Sequence, residues 1–226
     1  MISSIADILA PHYCCGCGIV GGILCESCKY DIVYENASHC VVCGKQTTGQ
    51  CRMCNLPYVF STFVGERSGV IEKLVNASKF DSCRQGCIVQ ARLLTEVVPR
   101  FPAKAVIVPL PTIPAHIRQR GYDHTLVMAR EIGRMRKAPV LQVLLRANQD
   151  IQHGASRKQR FEQAKRAFSI HVALDTHTTY VLVDDVVTTG ASVRYAAEAL
   201  LQAGAGAVWV AATSRQPIVP KLAKSK

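Results

Sequence analysis

Tyr180-Val181-Leu182-Val183-Asp184-Asp185-Val186-Val187-Thr188-Thr189-Gly190-Ala191-Ser192 joins a short apolar run, two adjacent carboxylates and a hydroxyl-rich loop in one unit. The run from Tyr180 to Val183 is rich in β-branched side chains and too short for a helix. It reads as a buried strand whose end directs Asp184 and Asp185 past the sheet. Thr188, Thr189, Gly190, Ala191 and Ser192 then supply hydroxyls, successive backbone N–H groups and a residue without Cβ, which lets an anion come close. Val193, Ala196, Ala197, Leu200 and Leu201 recur at helical spacing before Gly204, so the loop opens a helix whose N-terminal dipole favours phosphate. Carboxylates beside a phosphate cradle repel it unless they bind sugar hydroxyls or share a cation such as Mg²⁺, and both tasks suit a ribose 5-phosphate. The bland alternative is a βα turn that uses Asp and Thr as turn and cap residues.

Outward from this unit, apolar runs at 105–108 and 207–212 alternate with helical periodicity at 86–98 and 125–136. That order implies an α/β fold, a mostly parallel sheet flanked by helices on both faces. The lone Trp209 lies in the last run and reads as core. Ala105 to Val108 leads into the turn Pro109-Leu110-Pro111-Thr112, at the same edge of the sheet as the phosphate-sized loop. A length of 226 residues accommodates a small Cys-rich domain over 1–57 and one α/β domain over 58–226. No apolar stretch approaches a membrane span, and residues 1 to 13 lack the basic start and apolar length of a signal peptide, so a cytoplasmic setting is expected.

The N-terminal region carries four CxxC pairs: Cys14 and Cys17, Cys25 and Cys28, Cys40 and Cys43, Cys51 and Cys54. The second two repeat the first two at an offset of 26 residues, an internal duplication of C-x2-C-x7-C-x2-C. Two thiolates two residues apart can reach one tetrahedral ion from a tight knuckle, and two knuckles complete a closed Zn²⁺ site; eight ligands point to two structural ions. Gly16, Gly18 and Gly44 suit the knuckle turns. Residues 1–57 are poor in large apolar side chains and could hardly bury a core without metal. Disulfides and a redox CxxC are the rival readings, weakened by the expected reducing compartment and by the number of pairs. The spacing leaves open whether each repeat holds its own ion or the pairs interleave. Cys83 and Cys87, four apart on a helical stretch, read as small, partly buried residues.

Charge is uneven. Residues 1–60 hold three basic and four acidic side chains out of 27 and 16 in the chain, leaving a net +12 for the remainder. Residues 116–170 alone hold 12 basic against four acidic. Such a field attracts small anions, and its surplus suits a polyanion such as single-stranded or duplex DNA. Tyr122, Phe161 and Phe168 are candidates for base stacking, with core or rim positions as the alternative. The polar, basic stretch 150–166 reads either as a loop that closes on a diphosphate or as a solvated charged helix.

The stretch from Tyr180 to Ser192 resembles the phosphoribosyl pyrophosphate (PRPP) signature of type I phosphoribosyltransferases. The resemblance implies that Asp184 and Asp185 hold the ribose hydroxyls, that Thr188, Thr189, Gly190, Ala191 and Ser192 hold the 5′-phosphate, and that Val187 also belongs to the PRPP-binding residues. It also implies that the turn with Leu110 and Pro111 contacts pyrophosphate, and that Mg²⁺ accompanies the ligand. Thr188 stands where the members acting on 6-oxopurines carry an Asp near the base, and a Thr hydroxyl is a poor general base near neutral pH, which disfavours that chemistry. With a Cys-rich module in front, the whole chain resembles the ComF family, which is linked with DNA uptake in competent bacteria, and most closely its GntX-like branch with an N-terminal double zinc ribbon. Lys79-Phe80, Val108-Pro109-Leu110-Pro111, Arg120-Gly121-Tyr122-Asp123-His124 and the segment Gln152 to Phe168 carry that likeness. Asp123 and His124 replace the family's usual amide pair. Gln152, Arg157 and Arg160 fall on the implied flexible loop over the diphosphate. The resemblance implies either transfer of a phosphoribosyl group to an acceptor, with Asp184 and Asp185 orienting the sugar, or non-enzymatic sensing of PRPP or a nucleotide coupled to DNA or the uptake machinery.

Overall fold

In the computed structural model, residues 11–34, 39–47, 49–98, 101–146 and 167–217 are described. Four strands, β1 (Phe60–Glu66), β2 (Ala105–Pro109), β5 (Thr179–Val187) and β6 (Ala207–Arg215), form one all-parallel sheet in the order β1-β6-β5-β2. A short antiparallel pair, β3 (Leu145–Arg146) with β4 (Phe168–Ser169), lies beside it. The helices are α1 (Glu26–Tyr34), α2 (Gly69–Lys79), α3 (Arg84–Val97), α4 (Pro114–Arg120), α5 (His124–Arg136) and α6 (Ala191–Gln202). None of them is long and apolar enough to cross a membrane, among the described residues.

The period-two alternation of strand side chains separates two cores. Tyr180, Leu182, Val208, Val210 and Ala212 face α6, whose Val193, Ala196, Ala197 and Leu200 fill that side. Ile107, Val181, Val183 and Ala211 face the other side, packed by Leu74 of α2, Leu93 and Leu94 of α3, and Met128 and Ile132 of α5. The sheet is therefore covered on both faces, which is why its central strands read as continuous apolar runs.

β5 is longer than its apolar run. It continues through Asp184 and Asp185 to Val187, with Asp184 in register with Ala212 and Val186 with Ser214. The two acids thus sit inside the end of a strand and are buried, rather than projecting past the sheet as the sequence implied. β1, which the apolar runs did not announce, pairs with β6 from Phe60↔Trp209 to Glu66↔Arg215. Trp209 is half-buried, packed against Phe60 at 4.5 Å between ring centres with the rings tilted by 41°, and so lines the core instead of filling it.

The Cys-rich region packs directly on this framework. Cys40, Val41, Cys51 and Leu56 join the same apolar cluster as Val187 and Tyr195, and the Val41 N–H donates to Ser61 Oγ on β1 at 3.3 Å. On the other side of the sheet, Lys29 of α1 reaches Glu96 of α3 at 3.3 Å.

Candidate functional site

The topology opens a crevice between β2 and β5. The chain leaves β2 towards α4 and α5 on one face and leaves β5 towards α6 on the opposite face, so the two loops part at the carboxyl ends of adjacent strands. Open parallel sheets bind ligands at such a switch point. One lip is the loop after β5. Val187 and Gly190 are buried, while Thr188, Thr189, Ala191 and Ser192 are exposed to the crevice mouth and open α6. Gly190 is the N-cap, with φ of +77°, and contributes no side chain to the helix N-terminus; the Ala191 N–H donates to Thr189 Oγ1 at 3.4 Å. An uncapped first turn leaves backbone donors and the positive end of the helix dipole for an anion.

The other lip is Leu110-Pro111-Thr112. The Leu110 N–H is spent on the Val183 carbonyl at 2.9 Å, and its own carbonyl accepts from Thr125 Oγ1 at 2.8 Å. Proline has no N–H. In this turn Leu110 and Pro111 therefore shape the wall, and Thr112 is the residue left with a backbone donor. Its hydroxyl donates to Asp123 Oδ1 at 2.8 Å, and Asp123 caps α5 by accepting from the N–H groups of Thr125 and Leu126.

Asp184 and Asp185 are buried near the carboxyl end of β5, 9% and 2% exposed. The Asp185 N–H donates to Asp184 Oδ1 at 2.9 Å. Asp185 Oδ2 is approached by Lys79 Nζ at 2.8 Å and His124 Nε2 at 3.0 Å. Burial, and then the charge of Asp185, push the Asp184 carboxyl up to about 8. Burial alone would raise Asp185 too, but its contact with His124 and the ammonium of Lys79 outweigh that and hold it well below the usual carboxylate range. The two shifts oppose one another, so Asp184 favours its neutral form and Asp185 its charged form, which the Lys79 ammonium faces. Lys79 and His124 come from the end of α2 and the start of α5. Spacing along the chain gave no signal that they meet Asp185, although both lie in stretches that carry the ComF resemblance.

Each Cys repeat closes on itself. The sulfur atoms of Cys14, Cys17, Cys25 and Cys28 lie within 4.8 Å of one another, and so do those of Cys40, Cys43, Cys51 and Cys54. Cys17 and Cys25 are 3.7 Å apart at sulfur, Cys43 and Cys51 3.7 Å, and Cys40 and Cys54 4.0 Å. A tetrahedral ion about 2.3 Å from each sulfur requires edges of about 3.8 Å, so both sets match a metal-sized gap. A disulfide would need about 2.05 Å. Cys14 Sγ also accepts from the backbone N–H groups of Gly16 at 3.4 Å and Cys25 at 3.3 Å. Burial opposes ionisation there, but such backbone donors prevail and bring the thiol down to about 6. Both sets could hold structural metal ions. Cys15 stays outside, its N–H bonded to the Ile23 carbonyl and its side chain against the α2–α3 side of the core. Cys87 is buried within α3, and half-buried Cys83 precedes that helix as its N-cap.

The duplicated knuckles differ at both positions between their cysteines, Cys15 against Val41 and Gly16 against Val42, and the second difference has a steric consequence. A Cβ at Gly16 would stand 2.5 Å from Cys28 Sγ, so the first knuckle admits only glycine there without a shift. The residue 26 further on is Val42, and a Cβ at Gly190 would stand 2.5 Å from its Cγ2. The second knuckle is therefore pressed against the loop after β5.

Tyr122 is half-buried and donates to the Ser78 carbonyl at 2.7 Å, and Phe168 is core; Phe161 lies outside the described residues. Gln152, Arg157 and Arg160 also lie outside them. No protein-family model matches the chain, and comparison with curated proteins finds no match.

Proposed function

We propose that the chain is a PRPP-binding protein of the ComF type, with the architecture of a type I phosphoribosyltransferase carried behind two structural Zn²⁺ sites. One observation carries the reading: an uncapped helix N-terminus with exposed Thr188, Thr189, Ala191 and Ser192 follows two buried, adjacent carboxylates at the switch point of a parallel sheet. The loop would take the 5′-phosphate through backbone N–H groups and hydroxyls. Asp184 and Asp185 would take the ribose hydroxyls. Asp184 favouring its neutral form, and Asp185 being faced by Lys79, lessens the repulsion of a diphosphate that two free carboxylates would exert. Mg²⁺ would arrive with the diphosphate and neutralise its charge. The donor set and sulfur spacing of both four-cysteine clusters support zinc.

Transfer, if the protein performs it, is displacement of pyrophosphate from the anomeric carbon by an acceptor nucleophile; the chain's part is to hold the sugar and exclude water while the leaving group departs. A second reading, ligand sensing without turnover, is favoured by the engagement of Asp185 with Lys79 and His124 and uses the same pocket. In either case the basic remainder of the chain, net +12 beyond residue 60, supports contact with DNA or uptake machinery in the cytoplasm. Calorimetry of the zinc-loaded protein with PRPP and Mg²⁺ tests the pocket: binding is expected, and Asp184→Asn with Asp185→Asn should abolish it. Pyrophosphate release in the presence of pooled nucleobases and amines separates transfer from sensing. No heat with PRPP at millimolar concentration would remove the reading.

A further inference from the structure

The side chains behind Asp185 belong to neither lip of the crevice, and their donors and acceptors determine how they are wired. His124 Nδ1 lies 2.9 Å from Arg120 Nη1 and 3.3 Å from Thr112 Oγ1. A guanidinium has only donors, so the short contact is a hydrogen bond only if Nδ1 bears no proton. The Thr112 hydroxyl hydrogen is already directed to Asp123 Oδ1, so it does not compete for Nδ1. The ring proton then sits on Nε2, where Asp185 Oδ2 is 3.0 Å away. Arg120 Nε meanwhile donates to the Lys79 carbonyl at 2.7 Å, and the Tyr122 hydroxyl to the Ser78 carbonyl at 2.7 Å. Both bonds tie the end of α2 to the segment that starts α5. Asp185 and His124 are 2% and 6% exposed, so water does not substitute for these contacts.

We propose that Lys79, Arg120 and His124 are positioning residues that fix Asp185 for a sugar ligand, with His124 acting as a neutral bridge: it accepts from Arg120 at Nδ1 and presents Nε2–H to the carboxylate. Among the described residues Lys79 supplies the only full positive charge touching Asp185, and Arg120 holds both Lys79 and the imidazole in place. The proposal rests on reading the crevice as a ribose-phosphate pocket. It makes a chemical demand that a merely packed histidine does not: a side chain with one acceptor and one donor in the same places should replace His124. Glutamine has both, its carbonyl for Arg120 and its amide for Asp185; leucine has neither.

The test uses the full-length zinc-loaded protein. A long-range ¹⁵N–¹H spectrum near neutral pH, with the His124 signals identified by their loss in His124→Gln, should show an unprotonated Nδ1 and a protonated Nε2. An imidazolium, or the opposite tautomer, overturns the bridge in the wild-type protein, whatever the variants do. In calorimetry with PRPP and Mg²⁺, His124→Gln should bind within about threefold of wild type and His124→Leu about tenfold or more weakly. Wild-type binding that His124→Leu leaves intact, or that His124→Gln loses as fully as His124→Leu, overturns the positioning role while leaving the pocket standing. Absence of wild-type binding removes the pocket itself, a result distinguishable from either.

Discussion

Gly190 is where the Cys-rich region and the candidate phosphate loop meet in one residue. Its φ of +77° would cost an L side chain roughly 1 to 2 kcal/mol. A Cβ would also run into Val42 Cγ2, and overpacking of that kind costs typically about 1–3 kcal/mol. Gly190→Ala is therefore expected to lose about 2–5 kcal/mol in urea unfolding, combining those two terms. Val42→Ala in the same chain should recover the steric share and leave the backbone share, and a double mutant showing no recovery would mean that the knuckle does not press on the loop. Asp184 and Asp185 set opposite pH dependences. The folded-state value of Asp184, about 8, lies above its ordinary value, so its contribution to stability is whole below about pH 4 and declines as pH rises through the folded value. Asp185 is held below its ordinary value, so its contribution is whole above about pH 4 and is lost on acidification. Asp184→Asn should flatten the fall in melting temperature between pH 5 and 8, roughly the window the two values bound, and leave the acid limb in place. A wild-type melting temperature that climbs relative to Asp184→Asn over that window would contradict the raised carboxyl.

Among the elements, what was legible in the sequence was what is local. The apolar cores of β2, β5 and β6 and the periodic helices stood out because burial on both faces writes itself as a run or a stripe. The end of β5 did not, since Asp184 and Asp185 look like the close of a strand; they continue it because β6 pairs alongside and Lys79 and His124 face the charge. β1 was hidden by Ser61, Thr62 and Gly65, and one of those, Ser61, is buried with its hydroxyl accepting from Val41, a partner no strand pattern announces. Lys79, Arg120 and His124 are individually ordinary, and only the packing of α2 against the start of α5 makes them a group. The Cys repeats were the opposite case, because ligand spacing is itself the geometry; what spacing could not supply was the pairing, which is sequential. That pairing has a direct consequence for metal content. Cys14→Ser with Cys25→Ser damages one site and should leave about one ion per chain, whereas Cys14→Ser with Cys40→Ser damages both and should leave none. Interleaved pairs would reverse the two outcomes in atomic emission analysis of the purified variants.

At the scale of the whole molecule, the two four-cysteine clusters, each able to hold a metal ion, are not equivalent supports. The second one holds Cys40, Val41 and Cys51 in the apolar cluster shared with Val187, Val193 and Tyr195, so it braces the loop and the first turns of α6. The first is nearer α1, whose Lys29 meets Glu96 of α3 on the far face of the sheet. Structural zinc contributes about 10–16 kcal/mol of apparent binding free energy in small peptides, comparable with the whole stability of a domain, so losing an ion should release its knuckle outright. Loss of the second ion then removes Val42 from Gly190 and uncovers one wall of the crevice, while loss of the first leaves that wall in place. Hydrogen exchange followed by mass spectrometry should therefore show faster exchange across 187–193 in Cys51→Ser than in Cys25→Ser, with a matching loss of PRPP affinity only in the former. Equal protection of that loop in both variants would mean that the Cys-rich region and the crevice are adjacent without being coupled.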